Sequence, residues 1–318
     1  MKFAFALLAL LAFTPVASAQ DYPTRPITLV VPYAAGGGND IMARVAADKM
    51  SPVLGQQIVI ENRGGAGGSI ATRQVAHAAP DGYTLGLGGT GTLAVDPTLY
   101  PNAGYDPRKD FVPIGLIGTS ALVLVINPSV PAKTVKELIA YGKANPGKLT
   151  FASAGVGSGI HLAAEYFKVQ AGIDMVHVPY KGSAPALADL VGGHVSMYFS
   201  SLPPAIGLVK DGKVRALAVT GLQRSPVFPD LPTVAETLPG FEAVLHYGII
   251  APAGTPKPIV MKLNAALRHA VMSGELKQKL AADGTEPLAS TPEEYATDID
   301  KEETKWSVIV KKSGAKAE

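Results

Sequence analysis

Two short segments combine glycine with small and hydroxyl residues in a spacing suited to holding an anion: Tyr33-Ala34-Ala35-Gly36-Gly37-Gly38-Asn39 and Ser153-Ala154-Gly155-Val156-Gly157-Ser158-Gly159. Each follows an apolar run and precedes a helical pattern. A turn in that position exposes unpaired amide N–H groups at the positive end of a helix dipole, and glycine lets a ligand approach the backbone closely. Neither segment contains lysine or arginine, so the attraction would come from the main chain. One such turn would ordinarily be no more than a tight connection. Two of them, about 120 residues apart and each at the carboxyl end of its strand, point to a shared ligand in a cleft.

Other chemistries find little support. With no cysteine among 318 residues there is no disulfide, thiolate metal site or cysteine nucleophile. No phosphate-loop G-x-x-x-x-G-K-[ST] or nucleophile-elbow G-x-S-x-G occurs. Gly86-Leu87-Gly88-Gly89-Thr90-Gly91 does match G-x-G-x-x-G, but Asp96-Pro97 and Pro101 interrupt the helix that a dinucleotide site requires. Thr90 and Gly91 read instead as a turn on the cleft rim, offering N–H or hydroxyl groups to the ligand. His161 and Glu165, one helical turn apart, form at most half a metal site with nothing spaced to complete it. His177 in an apolar strand reads as core, His77, His194 and His269 as surface, and Asp40 with Arg44 as an i,i+4 pair. No metal and no cofactor are expected. The formal charge of +2 gives no basic face for nucleic acid. An enzymatic alternative, a transferase or isomerase using Thr90, His246 and Asp40 on a bound acid, lacks a nucleophile, a metal site and an acid–base pair.

The elements that must position these turns alternate along the chain, the pattern of an α/β protein with largely parallel sheets. Ile27 to Val31 is a buried strand and Asn39 a cap for the helix carrying Met42, Val45, Ala46 and Met50. Ile58 to Ile60 is the next strand, a glycine-rich turn at 64–68 precedes a helix from about Ile70, and Thr84 to Leu87 is a third strand. A second series opens with Leu122 to Ile126, a capping box at Thr134 to Glu137 and a strand from Leu149 to Ala152. The helix after Gly159 places Ile160, Ala164, Phe167 and Ala171 on one face, and strands follow at 175–178, 195–199 and 214–219. Thr255-Pro256 and Thr291-Pro292-Glu293-Glu294 start two C-terminal helices.

Met1 and Lys2, the apolar run Phe3 to Phe13 and Ala17-Ser18-Ala19 form a signal-peptide pattern cut after Ala19. The apolar run is shorter than a membrane span needs. With no cysteine after it there is no lipid attachment, so the mature chain is expected to be a soluble periplasmic monomer. Its roughly 300 residues exceed what one core usually supports, which favours two lobes joined by strand crossovers near residues 121 and 246. Residues 20–121 with 247–318 make one lobe and 122–246 the other.

The motifs Val31-Pro32-Tyr33 to Asp40 with Arg44, Asn62-Arg63 with Gly65 to Gly68, Pro80-Asp81-Gly82-Tyr83, Tyr105-Asp106-Pro107, Ser153 to Ser158, Val178-Pro179-Tyr180-Lys181-Gly182, Leu231 to Glu236 and Ala251 to Pro256 occur in order over essentially the whole mature chain. Together they resemble the solute-binding receptors of the tripartite tricarboxylate transporter class, the Bug receptors. The resemblance implies a type II-like, two-lobed periplasmic-binding-protein fold that closes on an organic carboxylate and delivers it to a membrane permease. It assigns ligand contacts to Tyr33, Ala35, Gly36, Gly37, Gly38 and Asn39 on one side, and to Ser153, Ala154, Gly155, Gly157 and Ser158 on the other. It also sets Ser200, His246 and Tyr247 in the pocket wall. Ser200 and Ser201 stand where many such receptors carry aspartate, which argues against an amino-acid ligand, and His246-Tyr247 stands where tryptophan is common. The expectation is therefore a two-ended grip on a small dicarboxylate.

Overall fold

The computed structural model describes residues 22–100 and 102–316; the expected signal peptide and its cleavage point lie outside them. Two blocks of three parallel strands carry the two glycine turns. In the first, β1 (Ile27–Val31) lies between β2 (Ile58–Asn62) and β3 (Thr84–Gly89). In the second, β5 (Leu149–Ser153) lies between β6 (Met175–Pro179) and β7 (Met197–Ser201). Apolar sequence buries the two central strands, β1 and β5: Ile27, Leu29 and Val31 have no exposed surface, and neither have Phe151 and Ala152. β1 and β5 are thus the strands from which the chain departs to one side and returns on the other, and the helices that follow them, α1 (Gly38–Leu54) and α5 (Gly159–Ala171), begin at those switch points. Ligands bind in α/β sheets at such places.

The blocks are joined antiparallel. β4 (Phe111–Ile126) pairs with β9 (Val244–Pro252) through Ala121 and with β7 and β8 (Arg215–Val219) from Leu122 onward. One strand therefore belongs to both halves of the sheet, and the second crossover ends where β9 begins at Val244. β9 also pairs with β3, and the short β10 (Thr285–Pro287) with β4. The sheet is consequently mixed, parallel within each block and antiparallel where the chain crosses. Helices α2 (Ser69–Ala76), α4 (Val135–Ala144), α6 (Ser183–Gly192), α7 (Leu202–Lys210), α8 (Lys257–Met272) and α9 (Gly274–Ala282) cover the faces.

Two local expectations are corrected. α1 is capped by Gly37, which has no side chain to offer, and Asn39 lies inside its first turn. β4 starts eleven residues before the expected Leu122, because register shifts between Pro113 and Gly115 and between Leu116 and Gly118 let the strand pass residues that normally end one. The last helix, α10 (Pro292–Ser313), opens with the expected capping box, Thr291 accepting from the amide of Glu294. Its Trp306 is fully buried and donates through Nε1 to Glu302 at 2.9 Å.

Candidate functional site

The carboxyl ends of β1 and β5 meet at one small chamber. Its wall is made by Tyr33 and Asn39 before and within α1, by Ala154, Ser158, Gly159 and Ile160 at the entrance to α5, by Gly89 to Thr92 after β3, and by Leu245, His246 and Tyr247 of β9. None of these residues is a lysine or arginine. What they supply is helix ends. In α1 the first intrahelical bond is from the Ile41 amide to Gly37 O, at 3.0 Å. With glycine as the cap, the amides of Gly38 and Asn39 have no capping oxygen. In α5 the Ser158 hydroxyl caps the amide of His161 at 3.2 Å and donates to Gly155 O at 2.7 Å, which leaves the amides of Gly159 and Ile160 at the chamber wall. The positive ends of two helix dipoles, one from each half, converge there.

The third side is the segment after β3, where the expected turn is helical instead: Thr90–Val95 form a π-helix that runs into the short α3 (Asp96–Leu99), so Asp96-Pro97 begin a helix rather than interrupt one. Thr90 Oγ1 accepts from the amide of His246 at 3.0 Å, pinning that segment to β9. Gly91 has no room for a side chain, since a Cβ would lie 2.7 Å from Tyr33 Oη and 3.2 Å from the Gly159 amide. Tyr33 donates to Gly67 O at 2.8 Å, and burial pushes its hydroxyl well above the usual phenol range, so it stays neutral. Burial acts in the same direction on Tyr247.

Seven of the fifteen residues expected from the sequence line the chamber: Tyr33, Asn39, Thr90, Ala154, Ser158, His246 and Tyr247. The other eight lie off its wall, for identifiable reasons. The Gly36 amide donates to Asp40 Oδ2 at 2.9 Å, the Gly155 amide to Ser153 Oγ at 3.1 Å, and the Gly157 amide to His161 Nδ1 at 3.3 Å. The Ser153 hydroxyl meets His177 Nε2 at 2.6 Å and that of Ser200 donates to Ser201 O. Ala35 is exposed, whereas Gly37 and Gly38 are packed against Ser183 and Ser201 of the opposite half. Gly89, Thr92, Gly159, Ile160 and Leu245 line the chamber without having been singled out. For Gly159 and Ile160 the available signal was their place just after the Ser158 cap.

Ionisable side chains near the chamber are held by protein partners. Burial would raise the Asp40 carboxyl, but bonds from Arg44, Gly36 and Asn62 outweigh it and hold the group below its usual range. His161 and His177 stack with ring centroids 4.1 Å apart. Burial, reinforced by the neighbouring ring and by Lys168, pushes His161 down to about 3, and burial with Lys168 takes His177 to about 4. His161 Nδ1 therefore accepts at neutral pH, as its bond from Gly157 requires. The His246 ring turns to α10, with Nδ1 2.9 Å from Asp298 Oδ2 and Nε2 3.7 Å from Glu302 Oε2. Among the described residues no group of three or more His, Asp or Glu side chains is arranged to hold a metal ion.

About 20 Å³ of the chamber is open to the centre of a water molecule, room for one or two. The halves touch around it: the Ala34 amide donates to Lys181 O at 3.2 Å, and Tyr100 Oη to Val156 O at 2.8 Å. A ligand with several carbons enters only if these loops part.

The chain is similar to known proteins over most of its length. The family model described as tripartite tricarboxylate transporter family receptor matches residues 42–315. The structure of the periplasmic binding protein BugD superposes with a TM-score of 0.89 at 39% identity, covering 93% of this chain and 99% of that one. R. palustris Rpa4515 with adipate gives 0.90 at 38% identity, covering 92% and 99%. MatC (Rpa3494) from Rhodopseudomonas palustris with bound malate gives 0.87 at 37% identity, covering 91% and 100%.

Proposed function

Because the chain belongs to the tripartite tricarboxylate transporter family of receptors, we propose that it captures a small dicarboxylate between its two lobes and delivers it to a membrane permease of that transporter type. As a member it is a solute-binding receptor, and the enzymatic alternative falls away. The observation that carries the ligand class is the convergence of two helix N-termini, α1 without a side-chain cap in one half and α5 capped only at His161 in the other, on a chamber without lysine or arginine. A micromolar complex needs about 8 kcal/mol net, and a charge-assisted hydrogen bond contributes roughly 1.5 to 3 before ordering costs. One helix end is marginal by that measure, whereas two gripping separate carboxylates suffice. The binding of adipate and malate by related receptors supports the same class.

The proposed lobes are residues 20–121 with 247–318, and 122–246, hinged where β4 changes partners and β9 begins. Calorimetry with malate and adipate against monocarboxylates of matched length tests the grip. Removing one carboxylate should weaken binding about 10- to 100-fold, the loss of one charge-assisted bond. Equal affinities would refute the two-ended grip. Export to the periplasm with cleavage after Ala19 is tested by N-terminal sequencing of the secreted chain, which should begin at Gln20.

A further inference from the structure

We propose that α3 (Asp96–Leu99) and Tyr100 form a clasp that seats on the turn Gly155 to Gly157 when the lobes close, and that seating it draws a proton onto Asp96. The inference rests on the reading of the chain as a closing receptor and concerns how that site is regulated. Gly157, with φ +87°, is the socket. A Cβ there would lie 2.7 Å from Tyr100 Cε2, 2.8 Å from Asp96 Oδ1 and 3.2 Å from Leu99 Cδ2, so three residues of the clasp crowd one α-carbon. Tyr100 Oη completes the contact by donating to Val156 O at 2.8 Å. Gly157 thus lacks a side chain for the sake of closure, which explains why it lies off the chamber and its amide is turned away to His161.

Asp96 has no exposed surface. Its Oδ2 lies 2.8 Å from Tyr105 Oη, whose one proton it shares with Thr92 O at 2.7 Å, while Oδ1, the oxygen facing Gly157, has no hydrogen-bond partner among the described residues. A buried carboxylate with a single donor is costly to ionise. Burial accordingly pushes Asp96 well above the usual carboxylate range, and the bond from Tyr105 only partly opposes that. The groups around it cannot substitute for the proton. Tyr33, Tyr100 and Tyr105 are phenols, uncharged between pH 6 and 8, and His161 behind the socket is neutral there. On α10, which packs against α3, Asp298 is held by His246, Glu302 by Trp306, and Asp300 and Glu303 by Arg108.

When the lobes part, Gly157 withdraws and Oδ1 reaches water, so the carboxyl falls back toward its ordinary range. Between the two values the closed form holds more protons than the open form. Ligand affinity must then fall as pH rises through that interval, by at most tenfold per pH unit for one proton. The second carboxyl of malate and of adipate titrates at about pH 5, so binding of the dianion releases a small fraction of a proton near pH 6, opposite in sign to the uptake by Asp96 and the same in a variant that lacks Asp96.

Calorimetric titration with malate and adipate at pH 6, 7 and 8, in buffers of different ionisation enthalpy, counts the protons taken up on binding. The wild type should take up a measurable fraction of a proton, not above one, with Kd rising up to tenfold per pH unit; Asp96→Asn should take up none and show a flat Kd between pH 7 and 8. Tyr100→Phe should release ligand several-fold faster with the proton count unchanged. No proton uptake by the wild type, or the same slope in Asp96→Asn, overturns the clasp, and if Asp96→Asn does not fold the wild-type count decides alone. X-ray scattering of the wild type without ligand separates the two readings. A more compact chain at pH 6 than at pH 8, with neither acid bound at any pH, keeps the clasp and overturns the dicarboxylate reading; binding without proton exchange does the reverse.

Discussion

Acidification should loosen the second lobe through its stacked histidines, and His161 allows the size of the effect to be worked out. Its imidazole lies between His177 and the turn of Gly157, and its Nδ1 must stay unprotonated to accept from the Gly157 amide. Burial first, then the neighbouring ring, takes the folded value to about 3, while in the unfolded chain it is near 6.5. Between those values the unfolded chain holds more protons, so stability rises with pH there and is lost as pH falls below 6.5. At pH 5 the unfolded imidazole is almost fully protonated and the folded one almost not at all, a difference of about 2 kcal/mol. His177, shifted to about 4 but partly exposed, adds less because solvent screens it. Asp96 and Glu165, raised by burial, act in the opposite direction, so the raw pH profile does not isolate the histidine. The difference between wild type and His161→Gln does. Urea unfolding of both at pH 8 and pH 5 should show the wild type losing about 2 kcal/mol more than the variant. Equal losses would mean that the imidazole is not held neutral by the fold.

Three further outcomes follow from the packing. Gly38→Ala places a Cβ 2.5 Å from Ser201 Oγ and 2.8 Å from Ser201 Cβ; it should weaken dicarboxylate binding at least tenfold in calorimetry while leaving the far-ultraviolet circular dichroism unchanged. Ser158→Ala removes the cap of α5 and should cost about 1 kcal/mol in urea unfolding. Trp306→Ala leaves a large void and deprives the buried Glu302 of its donor, so a loss of about 3–5 kcal/mol is expected in the same assay.

Much of this architecture can be read from residue order, and the places where it cannot are instructive. Ile27–Val31 is visible because continuous apolar sequence flanked by turn residues leaves few alternatives. The first half of β4 is hidden because Pro113, Gly115 and Gly118 look like strand breakers, and only the shifted pairing with β9 makes them tolerable. The two glycine turns read as an anion site by residue type, an expectation to which the structure adds only that both reach one chamber, through Asn39 and Ser158. Which amides remain available is a different matter. Asp40 folds back onto Gly36, and His161 accepts from Gly157, each from four residues along the chain. Rotamers chosen in the folded packing decide that, so periodicity and composition carry no trace of it. The same holds for His246, whose ring direction is set by Asp298 on a helix fifty-two residues later.

β4 has a mechanical consequence. A ribbon of 16 residues shared by both lobes, at about 3.3 Å per residue, acts as a leaf spring rather than a tether. On the lobe boundaries proposed above, gape would come from elastic flexure at Ala121-Leu122 with the ladder on either side intact. The two jaws would then keep their alignment, and re-engagement would require no orientational search. Shutting should therefore follow the microsecond-to-millisecond timescale of hinge bending, leaving arrival of the solute as the slow step at low supply.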